Sequence, residues 1–371
     1  AITFGPITLG ADTTINTVAS DNAADLTIGA VTGTGYSLTL TTGGVAGAAI
    51  AGTSVSGVGT LTIGNSGGTT FSSTVGATIV TLTNTTGTIA FNGNLTLTSG
   101  MTVNAGTAAY NVAINGSSNT IAGATTFANT GTVTLGNGSD TINFTGGVVA
   151  TAPSGVTVNG TVTAAGTGLI TLGDSDTGVT IGGTSTIGGT STGQITTGAI
   201  ALNNNLTLGA GVATPISLTT VTGPSSGTAN LTFDTTGSIT VSGAVGTNIG
   251  TLTITNSGGA TFSSTVAAST VTLTNTTGTI TFTGALTATT LNTATQSYNL
   301  ALNASTGTIT NAVTFSNTGT LALGASGGIL TFNGGLTAIA PSASTLKGTI
   351  TSSNDAITFG PITLGADTTI N

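Results

Sequence analysis

Aliphatic and hydroxyl side chains alternate along almost the whole chain. Thr60-Leu61-Thr62-Ile63, Val80-Thr81-Leu82-Thr83, Thr88-Ile89-Ala90-Phe91, Leu95-Thr96-Leu97-Thr98 and Val133-Thr134-Leu135 each place an apolar residue at every second position. A strand turns successive side chains to opposite faces, so this period of two predicts β-strands with Leu61, Phe71, Val80, Leu82, Ile89, Phe91 and Leu95 inward and their threonine neighbours outward. Asn84-Thr85-Thr86-Gly87, Asn92-Gly93-Asn94 and Gly136-Asn137-Gly138 separate the runs, because Gly and Asn tolerate the positive φ that turns need. Helix competes nowhere: sixty glycines, abundant β-branched Thr and almost no Gln, Lys, Glu or Arg make a long helix unfavourable.

The strand rhythm is itself repeated. Ala1 to Asn16 (AITFGPITLGADTTIN) recurs letter for letter as Ala356 to Asn371, a period of 355 residues (356 − 1). Within that period Gly59 to Thr96 matches Gly250 to Thr287 at 30 of 38 positions. Tyr110-Asn111 parallels Tyr298-Asn299, and Ala152-Pro153-Ser154 parallels Ala340-Pro341-Ser342. These matches divide the chain into half-copies at about 1–198 and 199–355, with 356–371 restarting the repeat. One continuous solenoid over 1–371 is expected, since a repeat that cannot bury its apolar face alone stacks on its neighbours. Pro6 and Pro361 should occupy the same turn or edge, because neither can donate to a ladder. Phe71 to Phe91 and Phe262 to Phe282 are equal steps (91 − 71 = 282 − 262 = 20), whereas Phe127 to Phe144 and Phe315 to Phe332 are shorter ones (144 − 127 = 332 − 315 = 17). Coils of roughly 17 to 20 residues are expected from that spacing, with Phe71 equivalent to Phe262 and Phe91 to Phe282. The segment from about Ala164 to Thr197 is an insertion in the first half; it keeps strand-like apolar positions and reads as extra coils.

Composition narrows the chemistry. The chain has no Cys, His, Trp, Arg or Glu, a single base at Lys347, and nine acids, all Asp. General acid–base, thiolate and imidazole chemistry therefore lack their usual side chains, and no cofactor is expected. A net charge of −8 with one cation argues against nucleic acid and anionic membrane surfaces, which are bound mainly through Lys and Arg. The surface must be wetted by Thr, Ser and Asn, a composition suited to a permanently solvated exterior. No apolar run approaches the ~18 residues of a membrane helix, and the smoothest stretch, Gly43 to Gly59, is only weakly hydrophobic. The first residue is Ala with no basic region behind it, as expected where a leader has been removed or the segment lies far inside a longer chain.

The coil Thr81-Leu82-Thr83-Asn84-Thr85-Thr86-Gly87-Thr88-Ile89-Ala90-Phe91-Asn92-Gly93 resembles the β-strand-repeat segments of giant bacterial surface proteins, such as filamentous-haemagglutinin-like adhesins and autotransporter stalks. The resemblance extends over essentially the whole chain. It implies an all-β, right-handed parallel β-helix exported to the cell surface, and it brings no site residues with it.

Four small constellations bear on chemistry. Asp174 and Asp176 flank Ser175 as in the opening of a calcium loop, but Ser185 stands where a bidentate Glu is needed, so a solvated turn competes with the metal reading. Ser344-Thr345-Leu346-Lys347 fits an acylase S-x-x-K pattern without its companion motifs. Asn84, Asn94 and Asn275 open glycosylation sequons that a chain so rich in Asn and Thr produces by chance. Thr60/Thr62, Thr81/Thr83 and Thr251/Thr253 form hydroxyl pairs of the kind an ice-binding face would use; ordinary outward packing explains them as well. The reading with most support is a non-catalytic structural segment of an extracellular filament, sheath or adhesin stalk. Its partners would be further copies of itself, end to end as a covalent tandem or a non-covalent polymer, with Ala1, Pro6, Asn16, Ala356, Pro361 and Asn371 at the repeat junction and lateral bundling or glycans as further contacts. A Thr-rich ice-binding or carbohydrate-binding solenoid is the alternative.

Overall fold

The computed structural model describes residues 1–19, 22–43 and 48–371, and every regular element in them is a β-strand. Asp21 and residues 44–47 of the smooth stretch Gly43 to Gly59 lie outside the described residues. Alternation of Thr with aliphatic residues produces these strands, and parallel stacking of one coil on the next completes them, because a parallel ladder needs a crossover and here the rest of the coil is that crossover. The result is a parallel β-solenoid. Two compact units are present, Ala1–Gly193 and Gln194–Asn371.

In the first unit a coil has three legs. Ile2–Phe4 stacks on Leu26–Ile28, then come Ile50–Gly52, Thr69–Phe71, Thr88–Phe91 and Asn111–Ile114. Ile7–Thr8 and Val31–Thr32 begin the second column, and Thr13–Asn16 and Leu38–Thr41 the third. The long strands Val55–Ser66 and Val75–Thr85 run through both of these columns, turning the corner by register shifts between Val55 and Val58 and between Ala77 and Ile79. The second unit stacks in the same way, one of its columns passing through Ile195–Thr197, Ile216–Leu218, Ser238–Val241, Gly259–Phe262, Thr279–Phe282 and Asn299–Leu302.

Coil length varies more than the phenylalanine spacing implies, and most coils are longer. Register partners are as close as Ser344 and Ile362 (362 − 344 = 18) and as far apart as Thr13 and Leu38 (38 − 13 = 25). The longer phenylalanine step is a true axial step: Phe71 lies opposite Phe91 and Phe262 opposite Phe282. Their rings stack nearly parallel, with centroids 5.8 and 4.9 Å apart. The shorter step is not one. Phe144 pairs with Ile121 of the preceding coil (144 − 121 = 23), and Phe127 meets Phe144 edge to face at 6.1 Å from a different leg.

The apolar residues face the interior as this patterning implies. Leu61, Phe71, Val80, Leu82, Ile89, Phe91, Leu95, Phe262 and Phe282 are all at most 1% exposed, while Thr60, Thr62, Thr81, Thr83, Thr88 and Thr96 lie on the outer face. Gly52 is required by the packing beneath Phe71: a Cβ there would stand 2.5 Å from the ring. Polar side chains that turn inward form their own rungs. Ser66 and Thr85 share a hydrogen bond of 3.1 Å, and Ser257 and Thr276, their counterparts at offset 191 (257 − 66), share one of 2.8 Å. Asn129 donates to the carbonyls of Tyr110 and Thr132, and Asn317 to those of Tyr298 and Thr320. Matching bonds at offset 188 (317 − 129) show that the half-copies share detailed geometry as well as plan. They differ at several inward positions, among them Val156, which becomes Ser344, and Asn119. Asn119 bridges coils, accepting from the Leu95 N–H and donating to the Gly116 and Thr141 carbonyls. Its counterpart is Gly307, which lines an apolar void of ≈10 Å³ with Phe282, Leu286, Leu330 and Phe332, at the lower limit for one water.

Two predictions arise from this core. Phe91→Ala removes one member of a fully buried ring stack and should lower stability by about 3–5 kcal/mol, read from the shift of the urea midpoint. Burial pushes the Tyr298 phenol up to about 12, against smaller lowering by Ala294 and Thr293, and raises Tyr110 as well. A phenol whose folded pKa exceeds its unfolded value favours the fold below about pH 10 and ceases to do so as pH rises through about 12. Alkaline titration should therefore show these two tyrosinates, by their ultraviolet absorbance, only as the β-sheet circular dichroism is lost.

Candidate functional site

The two identical sixteen-residue segments fold alike. Residues 1–16 form the legs Ile2–Phe4, Ile7–Thr8 and Thr13–Asn16; residues 356–371 form Ile357–Phe359 and the longer strand Ile362–Ile370, which covers the second and third legs. Pro6 and Pro361 both sit at the turn between first and second leg. The corner before the third leg is closed by the same bond in each, Thr13 Oγ1 to the Ala11 carbonyl and Thr368 Oγ1 to the Ala366 carbonyl, both 2.9 Å.

Their neighbours are opposite. The first segment pairs on its C-terminal side, with Leu26–Ile28, Val31–Thr32 and Leu38–Thr41. The second pairs on its N-terminal side, in the registers Leu336 with Ile357, Ser344 with Ile362 and Gly348 with Thr368. Burial records the difference residue by residue. Leu9 is 3% exposed and its equal, Leu364, 63%. Ile7 and Ile15 are half-buried whereas Ile362 and Ile370 are 47% and 45% exposed; conversely Ile2 and Phe4 are 42% and 41% exposed whereas Ile357 and Phe359 are half-buried. Each segment thus has the neighbours that the other lacks. Ala1, Asn16, Ala356 and Asn371 are exposed.

A second repeated feature lies at the corner where the long strands shift register. Gly57, at φ +65°, and Asn248, at φ +73°, take the left-handed conformation at equivalent positions (248 − 57 = 191). Behind each is an open groove. One of ≈260 Å³ is lined by Val58, Thr78, Thr96 and Thr98, and one of ≈300 Å³ by Ile249, Ser269, Thr287 and Thr289. They offer hydroxyls and methyl groups on an open surface and no ring for a ligand to stack upon.

The remaining sequence candidates are occupied by local structure. Asp174 Oδ1 accepts the N–H groups of Asp176 and Thr177 at 2.9 and 3.0 Å, a self-contained turn. Ser185 is buried, donating to the Gly183 carbonyl and accepting from the Gly160 N–H, so it does not join the two carboxylates. Among the described residues no group of three or more acidic side chains converges. Ser344 points into the core and Lys347, three positions on in the same strand, points out, so the S-x-x-K pair cannot meet. Asn84 and Asn94 bind the next coil, accepting the N–H of Thr107 and Ser118, and Asn275 donates to Asn256. Thr14, Thr39, Thr62, Thr81, Thr102 and Thr126 form one unbroken outward file. The companion file fails at once, since Thr60 is followed by Ile79 and the Thr83 hydroxyl is turned onto the Gly64 carbonyl. In the second unit Thr251/Thr253 lie over Thr270/Thr272, then over Thr290/Asn292. The sequence signalled all these pairs; it did not signal the opposed burial of the two end segments, which depends on which neighbour each has.

Because the Asp174 carboxylate is already engaged by backbone N–H groups, millimolar calcium or EDTA should leave the thermal midpoint unchanged, while Asp174→Ala should lower stability by about 1 kcal/mol; calorimetry reads both. Comparison with family models, with curated proteins and with solved structures gives no match.

Proposed function

We propose that this chain is a structural, non-catalytic segment of an extracellular bacterial filament, sheath or adhesin stalk built from tandem solenoid repeats. One observation carries the reading: the 355-residue repeat restarts on whole legs, with the same corner bond and the same proline turn in both copies. A repeat that keeps phase with the coil can be iterated without a break in the ladder, and iteration of a stacked coil produces length. Composition supports the same conclusion. A wall of Thr, Ser and Asn with one lysine offers proteases few charged sites and needs no disulfide for stability, which suits a location outside the cell. The convergent acids, bases and nucleophiles of an enzyme are not brought together at the positions where the sequence suggested them. Function on this reading is reach and stiffness, and the copies follow one another end to end, as a covalent tandem or a non-covalent polymer.

The test is assembly. Concentrated, purified chain should form unbranched filaments in the electron microscope, and oriented filaments should diffract with a meridional spacing of about 4.8 Å, the coil rise along the axis. Under denaturing conditions the native polymer should remain a very large chain if the tandem is covalent, or give 35.0 kDa subunits that reassemble end to end if it is not; a compact monomer with two polar-capped ends would overturn the reading.

A further inference from the structure

We propose that Asn137 is a site of spontaneous covalent modification, the one Asn-Gly pair of the chain that the fold leaves free to close into a succinimide and open again as aspartate or isoaspartate. The sequence holds five such pairs, beginning at Asn92, Asn115, Asn137, Asn159 and Asn333. Asparagine before glycine is reactive because the glycine nitrogen, with no Cβ beside it, can swing onto the asparagine Cγ. That swing turns the backbone between the two residues, so a pair fixed in a stacked corner is held back and a pair outside the ladder is not.

Four of the pairs are fixed. Asn115 donates its amide to Asn92 at 3.0 Å, and Asn159 donates to the Gly136 carbonyl at 3.0 Å. Asn333 accepts from the Ser353 hydroxyl at 3.3 Å. Their glycines lie against the backbone of another coil: a Cβ on Gly93, Gly116, Gly160 or Gly334 would collide with Ser73, Gly93, Asp140 or Ala312 respectively. At Gly138 the same position is open, with no atom beyond the chain neighbours within 4 Å. Mismatched corners explain the difference. Register with the following coil breaks off where Leu135 meets Val158 and resumes where Asp140 meets Gly160, so Asn159 alone stands opposite four residues. The surplus bulges outward, and Asn137, Gly138 and Ser139 are all exposed. Only the base of the bulge is tied, by the Asn137 N–H, which donates to Asp140 Oδ2 at 2.7 Å; the Asn137 side-chain amide makes no hydrogen bond among the described residues. The corresponding residue of the second half-copy (137 + 188 = 325) is Ala325, which lacks the amide altogether.

The chemistry needs only water. The Gly138 nitrogen bonds to Asn137 Cγ and gives up its proton to the departing amide nitrogen, so ammonia leaves and a cyclic imide closes. Water then adds across one of the two imide C–N bonds. Opening at Cγ leaves aspartate; opening at the Asn137 backbone carbonyl leaves isoaspartate, whose main chain runs through Cβ and Cγ. Either product adds a carboxylate beside Asp140 on a wall that has few charges. The extra main-chain atom of isoaspartate falls inside the bulge, where there is no register to lose, so the solenoid outlasts the change.

Peptide mapping tests the assignment. The folded chain is held in mildly alkaline buffer, then denatured, digested with chymotrypsin and read by mass spectrometry, with isoaspartyl methyltransferase labelling the isoaspartate. The peptide carrying Asn137 should gain the mass of an acid in place of an amide, and those carrying Asn92, Asn115, Asn159 and Asn333 should do so about tenfold or more slowly. In urea all five should react at similar rates. Gly138→Ala sets a Cβ in open space and should slow reaction at Asn137 with circular dichroism unchanged. Equal rates at the five pairs of the folded chain, or faster reaction at one of the other four, would overturn the assignment. So would an Asn137 that stays intact while the unfolded chain reacts, or a Gly138→Ala chain that reacts as fast as wild type.

Discussion

Everything in this molecule depends on the backbone ladder between one coil and the next. A parallel strand satisfies its N–H and C=O groups on two sides, so each leg needs a leg before it and a leg after it. The side chains are then fixed by position: inward ones meet inward ones of the next coil, and outward ones form files about 4.8 Å apart. Phe71 on Phe91 and Phe262 on Phe282 are the inward case; the threonine file from Thr14 to Thr126 is the outward one.

The same spacing accounts for the scarcity of charge. Ionised side chains repeated in one file would stand strand to strand and repel along its length, whereas hydroxyl and amide groups both donate and accept and can therefore bond to their own kind. Asn115 donates to Asn92, and Asn275 to Asn256, which in turn donates to Asp234. The acid sits at the start of that ladder, where it only has to accept. Corners are freer than legs. A coil as short as the step from Ser344 to Ile362 and one as long as that from Thr13 to Leu38 both keep their legs in register, because the difference is taken up at the turns.

Much of the fold could be read from the chain. Period two fixed which face each of Leu61, Val80, Leu82 and Ile89 presents, and the step from Phe71 to Phe91 is one axial step among coils of varying length. The step from Phe127 to Phe144 misled, since two phenylalanines on adjacent legs can touch inside a narrow core without being register partners. Threonines buried at corners, such as Thr69 and Thr85, were not legible either: alternation predicts outward hydroxyls, and only the neighbouring Ser66 provides the bond that lets them turn in. The repeated sixteen-residue segment could be found by identity alone, but the opposed burial of its two copies depends on stacking, which no local pattern encodes.

The ladders also determine how such a wall gives way. They lie along the axis, so tension drawn through the chain at an end loads one coil's bonds at a time and peels it from its neighbour, while the remainder stays intact. A coil of about 20 residues releases roughly 70 Å of extended chain for the loss of about 4.8 Å of axial length. A solenoid built in this way yields by stepwise lengthening, one coil at a time.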